Sequence, residues 1–190
     1  AFPFPVKYGY CATGVVEDGP AELVGQQVFC LHPHQDFFTV PITALAPIPD
    51  DVPLRTATLA ANMETALNAV WDSGAGAGDR IVVVGAGIVG LLVASLAARL
   101  PGATVTAVDP DQSRRLLVQS LGAAFAKPDG APADADVVFH CSATSAGLNT
   151  AINCAGIEAT IVEMSWYGSK PVQVDLGGAF HSRRLKLVSS

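Results

Sequence analysis

The chain has 190 residues, of which 50% are hydrophobic, and it carries a formal net charge of −6 at pH 7. This length and apolar content support one large domain, or one domain with part of a second, and exclude extensive disorder. The acidic balance excludes the basic surface that nucleic acids and anionic membranes attract, so we expect neither as a partner. Four widely spaced cysteines are typical of reduced thiols in a cytoplasmic protein.

Short apolar runs separated by prolines and glycines fill residues 1–49. They predict short strands over residues 14–16, 27–29 and 37–40. The proline-rich stretch 47–53 indicates a domain boundary, which we place between residues 49 and 50. The chain begins without Met and ends inside a predicted strand, so we expect a fragment truncated at both ends.

The rest of the chain, residues 50–190, alternates helical and strand patterns. Helical spacing begins at 54–70, and an apolar strand precedes each later helix. This alternation predicts an α/β fold, a Rossmann doubly wound sheet of six parallel strands covered by helices on both faces. The strands are expected at 81–84, 103–108, 124–126, 137–141, 160–163 and 185–188, and the later helices at 88–100, 111–121 and 146–154.

One apolar stretch needs a second interpretation, because residues 81–98 contain no charge and are long enough to span a membrane. The stretch begins with β-branched residues, is interrupted by glycines and continues in Leu, Ala and Ser. That change of composition favours a strand, a tight turn and a helix over one membrane helix.

The glycine cluster in that turn fits the dinucleotide-binding pattern G-x-G-x-x-G. It reads Gly85-Ala86-Gly87-Ile88-Val89-Gly90 and lies between a predicted strand and a predicted helix. In this pattern Gly85 permits the tight turn, Gly87 lets the backbone approach a pyrophosphate, and Gly90 lets the helix pack closely on the strand. The phosphates then lie at the helix N-terminus, beside Ile88 and Val89.

An acidic residue ends the second strand of the nucleotide domain. Asp109 lies 19 residues after Gly90, where a carboxylate accepts hydrogen bonds from the adenosine ribose and repels a 2′-phosphate. The cofactor is therefore predicted to be NAD rather than NADP. Arg114 and Arg115 follow, and they suit either contact with the adenosine end or a 2′-phosphate.

With these motifs, residues 50–190 resemble the nucleotide domain of the medium-chain (zinc-type) alcohol dehydrogenases. The resemblance runs through 61–69, Gly78-Asp79-Arg80, the glycine motif, Asp109 and Leu121-Gly122-Ala123. Residues 9–49, with Gly25-Gln26-Gln27-Val28, resemble the later part of the family's GroES-like β-barrel. The resemblance to this family implies a partial catalytic domain over residues 1–49, a nucleotide domain over residues 50–190, and a homodimer paired through the last strand.

The resemblance also implies positions around the cofactor. It places Thr65 near the nicotinamide, Arg114 near the adenosine ribose, and Met164, with Val162 and Glu163, beneath the nicotinamide. Independently of the family, Ser142 follows a predicted strand at the ligand-binding edge of the sheet, and we expect it to border the adenine.

The zinc ligands of the family have no counterparts here. Its G-H-E motif falls on Gly9-Tyr10-Cys11, and the region of its third ligand falls on Ala61-Asn62. We therefore expect no metal, as in a zinc-free subgroup, and Tyr10 becomes the candidate proton donor in catalysis. The pattern Cys30-x-His32-x-His34 is interpreted as loop residues rather than as a metal site.

Two further clusters leave alternatives open. Trp166-Tyr167 covers a substrate or packs under a loop, and His181 with Arg183 and Arg184 holds an anion or lies in a solvated loop. The resulting hypothesis is an oxidoreductase that transfers hydride between NAD(H) and an alcohol or carbonyl group of a small molecule, in a cleft between its domains. The rival hypotheses are a zinc-free NADPH-dependent quinone or enone reductase and a non-catalytic NAD-binding protein.

Overall fold

The computed structural model describes residues 5–190. The chain divides into two compact units, one ending at Ala61 and one from Asn62 to Ser190. The first unit holds an antiparallel sheet in the order β1-β2-β3, followed by a short helix, α1. The bounds are β1 Ala12–Val15, β2 Gln27–Cys30, β3 Leu45–Pro47 and α1 Leu54–Ala57.

The strand predicted over residues 37–40 is wrong. Instead, β3 pairs with the side of β2 that does not face β1, with Cys30 opposite Leu45 and Val28 opposite Pro47. The apolar run before it lies in a loop, where the Phe38 ring stacks on the His32 imidazole with 3.9 Å between ring centroids. A short apolar run does not by itself distinguish a paired strand from a loop that buries one ring.

The second unit is built around a six-stranded parallel sheet in the order β6-β5-β4-β7-β8-β9. When the six strands are numbered from 1 in chain order, the order across the sheet is 3-2-1-4-5-6, which is the strand order of the Rossmann fold. The predicted α/β fold is therefore confirmed. The elements are α2 Ala60–Ser73, β4 Arg80–Val84, α3 Ile88–Ala97, β5 Thr104–Val108, α4 Arg115–Ser120, β6 Ala124–Ala126, β7 Ala135–His140, α5 Ser145–Cys154, β8 Ala155–Glu163 and β9 Lys186–Ser189.

Two of the predicted helices are interrupted. The helix expected over 54–70 divides at Thr58, whose hydroxyl donates to the carbonyl of Arg55 at 2.7 Å. The helix expected over 111–121 begins as a 3₁₀ turn, Gln112–Arg114, because the Asp111 carboxylate accepts the N–H of Ser113. Threonine and aspartate side chains commonly end or start helices in this way, since they compete for backbone groups.

Side chains alternate between two buried layers along each central strand. Ile81 and Val83 of β4 pack with α2, α3 and α4 on one face of the sheet. Val82 and Val84 pack with α5 on the other face. This double coverage explains why the strands are apolar runs instead of alternating with polar residues.

The strands bring their carboxyl ends to one edge of the sheet. Val84 lies beside Val108 on one side and His140 on the other, and His140 lies beside Glu163. In open α/β sheets ligands bind outside this edge, at the point where the strand order reverses. Here that point lies between β4 and β7. Within residues 5–190, the structure has no helix with both the length and the apolar character needed to cross a membrane.

Candidate cofactor-binding site

The glycine motif forms the turn between β4 and α3, and two of its glycines are required by space. Gly85 has φ +104°, and a Cβ there would lie 2.9 Å from the backbone nitrogen of Ser142. At Gly90 a Cβ would overlap the carbonyl oxygen of Gly85. Both glycines therefore let the loop pack directly on the helix and on the chain that follows β7.

Gly87 differs from the other two glycines because nothing in the described structure lies within 4 Å of the position of its missing Cβ. Its φ of −74° is also ordinary for any residue. Gly87 precedes Ile88, the first residue of α3, and no side chain caps this helix. The first backbone N–H groups of the helix and the open space beside Gly87 together form a cradle with the polarity that suits a pyrophosphate.

Asp109 follows β5 beside this cradle and is tied to it. One carboxylate oxygen accepts the N–H of Ala86 at 2.7 Å, and the other accepts the N–H of Asp111 at 2.8 Å. A carboxylate offers about four acceptor positions, so two remain for the hydroxyl groups of a ribose. The residues present thus fit a dinucleotide with its adenosine half on the β5 side of the loop.

The other predicted cofactor residues lie on several different elements of the second unit. Arg114 is exposed in the 3₁₀ turn before α4 and pairs with Asp111, with 3.4 Å between Nε and the carboxylate. Thr65 is exposed on α2. Ser142 and Met164 lie at the carboxyl edge, just after β7 and β8. Their roles toward a cofactor stay predictions.

A buried polar network fills the carboxyl edge between β7 and β8. The His140 side chain is completely buried, and its Nδ1 lies 2.8 Å from a Glu163 carboxylate oxygen. Its Nε2 lies 2.7 Å from the hydroxyl oxygen of Ser142, which in turn lies 3.0 Å from the hydroxyl of Thr144. Sequence reasoning singled out Ser142 but not the pairing of His140 with Glu163.

Glu163 is the charged centre of this network. Besides His140 it accepts the N–H of Ser165 at 2.8 Å and the phenol hydroxyl of Tyr167 at 3.2 Å. Burial acts to raise the pKa of Glu163, but the hydrogen bonds from His140 and Ser165 outweigh it and lower that pKa below the usual value. The carboxylate therefore stays ionised at neutral pH.

Burial and the charge of Glu163 act on two neighbours in the same direction. They raise the pKa of Tyr167 to about 12 and that of the Cys141 thiol to about 12. The Cys141 sulfur lies 3.5 Å from the sulfur of Met164. Tyr167 and Cys141 are thus neutral at neutral pH, and Cys141 is not a reactive thiolate. Of the pair Trp166-Tyr167, only Tyr167 joins the network, since Trp166 is 85% exposed.

The cluster of Arg183 and Arg184 is not an anion site at the ligand edge, which corrects one of the alternatives. These residues precede β9 and lie at the amino end of the sheet. The Arg183 guanidinium donates to the carbonyls of Asn153 and Ala155, at the end of α5. Arg184 pairs with Glu158 at 2.9 Å. Both arginines therefore stabilise the helix end and the start of β8.

The candidate residues of the first unit do not converge on a metal. Tyr10 is 57% exposed, and the thiol of Cys11 donates to the carbonyl of Thr58. Cys30 is buried, whereas His32 stacks on Phe38. Over residues 5–190 the structure has no group of three His, Cys, Asp or Glu side chains placed to hold a metal ion. The described residues do not fit the zinc of the family.

Comparison with known proteins agrees with this geometry. No family model matches the chain. It is 29% identical over 148 residues to 2-dehydro-3-deoxy-L-galactonate 5-dehydrogenase of Pseudoalteromonas atlantica, covering 72% of the chain and 43% of that protein. It is 27% identical over 183 residues to a probable diacetyl reductase of Saccharomyces cerevisiae, covering 87% of the chain and 40% of that protein. The chain therefore spans less than half the length of these curated relatives.

Solved structures resemble the chain over most of its length. A putative zinc-binding dehydrogenase from Sinorhizobium meliloti bound to NADP superposes with a TM-score of 0.81 at 20% identity, covering 99% of this chain and 69% of that one. A short chain alcohol dehydrogenase from Escherichia coli CFT073 complexed with NADH superposes with a TM-score of 0.75 at 19% identity, covering 94% and 66%. The homologues and structural neighbours are alcohol and polyol dehydrogenases, and the predicted resemblance to the medium-chain family is confirmed.

Proposed function

We propose that this chain binds NAD(H) as part of an oxidoreductase that transfers hydride between the cofactor and an alcohol or carbonyl group of a small molecule. The observation that carries the proposal is the cradle formed by Gly85–Gly90, with the Asp109 carboxylate bound to the N–H of Ala86. The bound cofactor supplies the hydride donor or acceptor. The chain's own residues hold the cofactor's phosphates at the start of α3 and its adenosine ribose at Asp109.

The choice of NAD over NADP rests on the charge of Asp109. A 2′-phosphate would bring a second negative charge next to a carboxylate that already faces the ribose position. Arg114 is exposed and pairs with Asp111, and the Arg115 guanidinium lies over the Phe125 ring, so both offer little compensation for that repulsion. The proposed function therefore includes a preference for the cofactor without the phosphate.

We expect the protein to bind NADH at least about tenfold more tightly than NADPH, because Asp109 repels the extra phosphate. Fluorescence titration of both cofactors measures the two dissociation constants. Asp109→Asn keeps an oxygen that can accept the N–H of Ala86 but removes the charge, so it should narrow the difference. Equal or tighter binding of NADPH by the unaltered protein contradicts the NAD assignment, and binding of neither cofactor contradicts the proposed function.

We also expect less than about 0.1 zinc per chain after purification without added metal, since Tyr10 and Ala61-Asn62 stand where the family has ligands, and a catalytic zinc needs three. Elemental analysis measures the zinc content directly. The matched variant is Cys30→Ser with His32→Gln, which should leave the result unchanged. About one zinc per chain, lost in that variant, would establish a metal site in the first unit.

Three finer features complete the proposal. Tyr10 is proposed as a proton donor from the first unit, to be tested by Tyr10→Phe, which should lower turnover and leave NADH binding unchanged. β9 is an edge strand of the sheet, and its second side has no partner strand in the described chain. We propose that two copies of the chain pair there as a homodimer.

A cytoplasmic location is proposed from the four free cysteines.

A further inference from the structure

The network around His140 touches the cofactor cradle. A Cβ at Gly85 would lie 2.9 Å from the backbone nitrogen of Ser142, so Ser142 packs against the first glycine of the loop. Asp109 places the adenosine half on the β5 side, and a dinucleotide spans the crevice to the other half of the sheet. The nicotinamide half then lies on the side of β7 and β8, where His140 and Glu163 are.

The hydrogen bonds of this network have one possible direction when His140 is neutral. Glu163 is an ionised carboxylate and only accepts, so Nδ1 of His140 carries the proton and donates to it. The Nε2 of His140 is then an acceptor, and the hydroxyl of Ser142 donates to it. Thr144 accepts the N–H of Gly147, which leaves its own hydroxyl proton to donate to Ser142.

With this direction of the hydrogen bonds, the Ser142 hydroxyl has one acceptor position that is not used. A hydroxyl oxygen has one donor and two acceptor positions, and Ser142 uses the donor on His140 and one acceptor on Thr144. Ser142 is only half-buried, whereas His140 is closed off from solvent. Among the described residues, Ser142 therefore offers the partly exposed oxygen through which a ligand hydroxyl can reach Nε2 of the buried imidazole.

We propose that Ser142, His140 and Glu163 form a proton relay, an alternative to Tyr10, which takes up the hydroxyl proton released when an alcohol is oxidised and returns it in the reverse reaction. The inference rests on the proposed function. Ser142 is the residue that contacts the ligand, at the nicotinamide half rather than at the adenine that the sequence suggested. His140 and Glu163 act through it as positioning residues. The arrangement of hydroxyl, imidazole and carboxylate follows the general logic by which enzymes move a proton to a buried base.

The atoms balance in the direction of alcohol oxidation. The ligand O–H bond breaks and its proton binds the Ser142 oxygen, while the proton of Ser142 moves to Nε2 of His140. The carbinol C–H bond breaks as its electron pair and hydrogen leave to the oxidised cofactor, and a carbonyl group remains. His140 becomes an imidazolium, whose charge is balanced by the Glu163 carboxylate at 2.8 Å.

The other groups around His140 do not titrate near neutral pH. Glu163 faces it from β8 and has a lowered pKa. Tyr167, in the segment after β8, and Cys141, the residue that follows β7, both have a pKa raised to about 12. From α5 the imidazole meets Gly147, which has no side chain, and from β4 its neighbour is Val84. Glu163 is therefore the ionised group beside His140 at neutral pH.

The test compares NAD⁺ with NADH, because the two cofactors differ only at the nicotinamide ring, which is positively charged in NAD⁺. The Glu163 carboxylate nearby favours NAD⁺ and leaves NADH almost unaffected. We therefore expect Glu163→Gln to raise the ratio of the dissociation constants, NAD⁺ over NADH, by roughly tenfold at a fixed pH of about 7. Isothermal titration of both cofactors measures the ratio, in which the contributions of adenosine and pyrophosphate cancel.

The variants separate the relay from its surroundings. Glu158→Gln, toward the amino end of the same strand as Glu163, also removes a carboxylate and should leave the ratio unchanged. Ser142→Ala should leave the ratio unchanged but slow NAD⁺-dependent oxidation of secondary alcohols at least about tenfold, with exposed Ser113→Ala as its control. His140→Gln should slow the same oxidation to a similar extent without weakening NADH binding. Should His140→Gln fail to fold, Ser142→Ala and Glu163→Gln carry the test.

The outcomes distinguish the two proposals. Binding of neither cofactor overturns the proposed function and the relay with it. Binding of both cofactors with the same ratio in Glu163→Gln as in the unaltered protein overturns the relay alone. Unchanged alcohol oxidation in Ser142→Ala also overturns the relay and leaves Tyr10 as the proposed proton donor.

Discussion

Replacing Gly90 by Ala is expected to distort the cofactor cradle and to lower the free energy of unfolding of the second unit by about 3 kcal/mol. This value is at the upper end of what an added methyl group costs in a packed site. The added carbon would overlap the carbonyl oxygen of Gly85, which is backbone and cannot rotate away. The loop must therefore shift, and NADH affinity should fall by more than about tenfold. Urea unfolding and NADH titration measure the two effects.

The matched control lies three residues earlier in the same loop. Gly87→Ala adds its carbon to open space at an ordinary φ, so the free energy of unfolding should stay within about 1 kcal/mol. NADH binding should still weaken, because the new methyl group occupies the space that a pyrophosphate would enter. A Gly87→Ala protein that binds NADH normally would contradict the proposed position of the phosphates.

The second large effect is expected at Gly147, in the first turn of α5. Replacing an exposed helical glycine by alanine normally stabilises a protein by about 0.5–1 kcal/mol. Here the added carbon would overlap the Ser142 hydroxyl and lie 2.9 Å from Nε2 of His140. We therefore expect the sign to reverse, with a loss of about 1–3 kcal/mol in the free energy of unfolding measured by urea titration.

A double variant shows whether that loss comes from Ser142. Ser142→Ala removes the overlapping oxygen, so the pair Ser142→Ala and Gly147→Ala should be more stable than the sum of the single changes predicts. Gly130→Ala adds a carbon to open space without a positive φ and should change stability little. Strictly additive losses in the double variant would place the origin of the effect elsewhere in α5.

The glycine loop and Asp109 were predictable because each is tied to a local pattern. The strand 81–84, the turn and the helix follow one another without a gap, and the next strand ends at Asp109. In a parallel sheet, adjacent strands align their carboxyl ends, so the loop and the acid must meet. The bond from the Ala86 N–H to Asp109 is the direct result of that alignment.

The pairing of His140 with Glu163 was not predictable in the same way, since neither residue belongs to a recognisable motif and the pairing depends on an irregular register between β7 and β8. Each residue ends a buried apolar strand, which is an unusual position for a charged group, and that was the signal available. The register of β8 against β7 also shifts between Ala135 and Val137, where β8 is irregular. Counting residues from the strand starts therefore does not give the partner of His140.

Asp109 limits the ways in which the protein's preference between NAD and NADP can change. The same carboxylate that faces the ribose position holds the glycine loop through the Ala86 N–H and the following turn through the Asp111 N–H. Asp109→Ala removes the negative charge but also releases both backbone donors beside the pyrophosphate position, whereas Asp109→Asn keeps an acceptor for one of them. A side chain without an acceptor at this position would therefore weaken the binding of every dinucleotide. A change of specificity toward NADP through such a side chain requires a second substitution that ties the loop again.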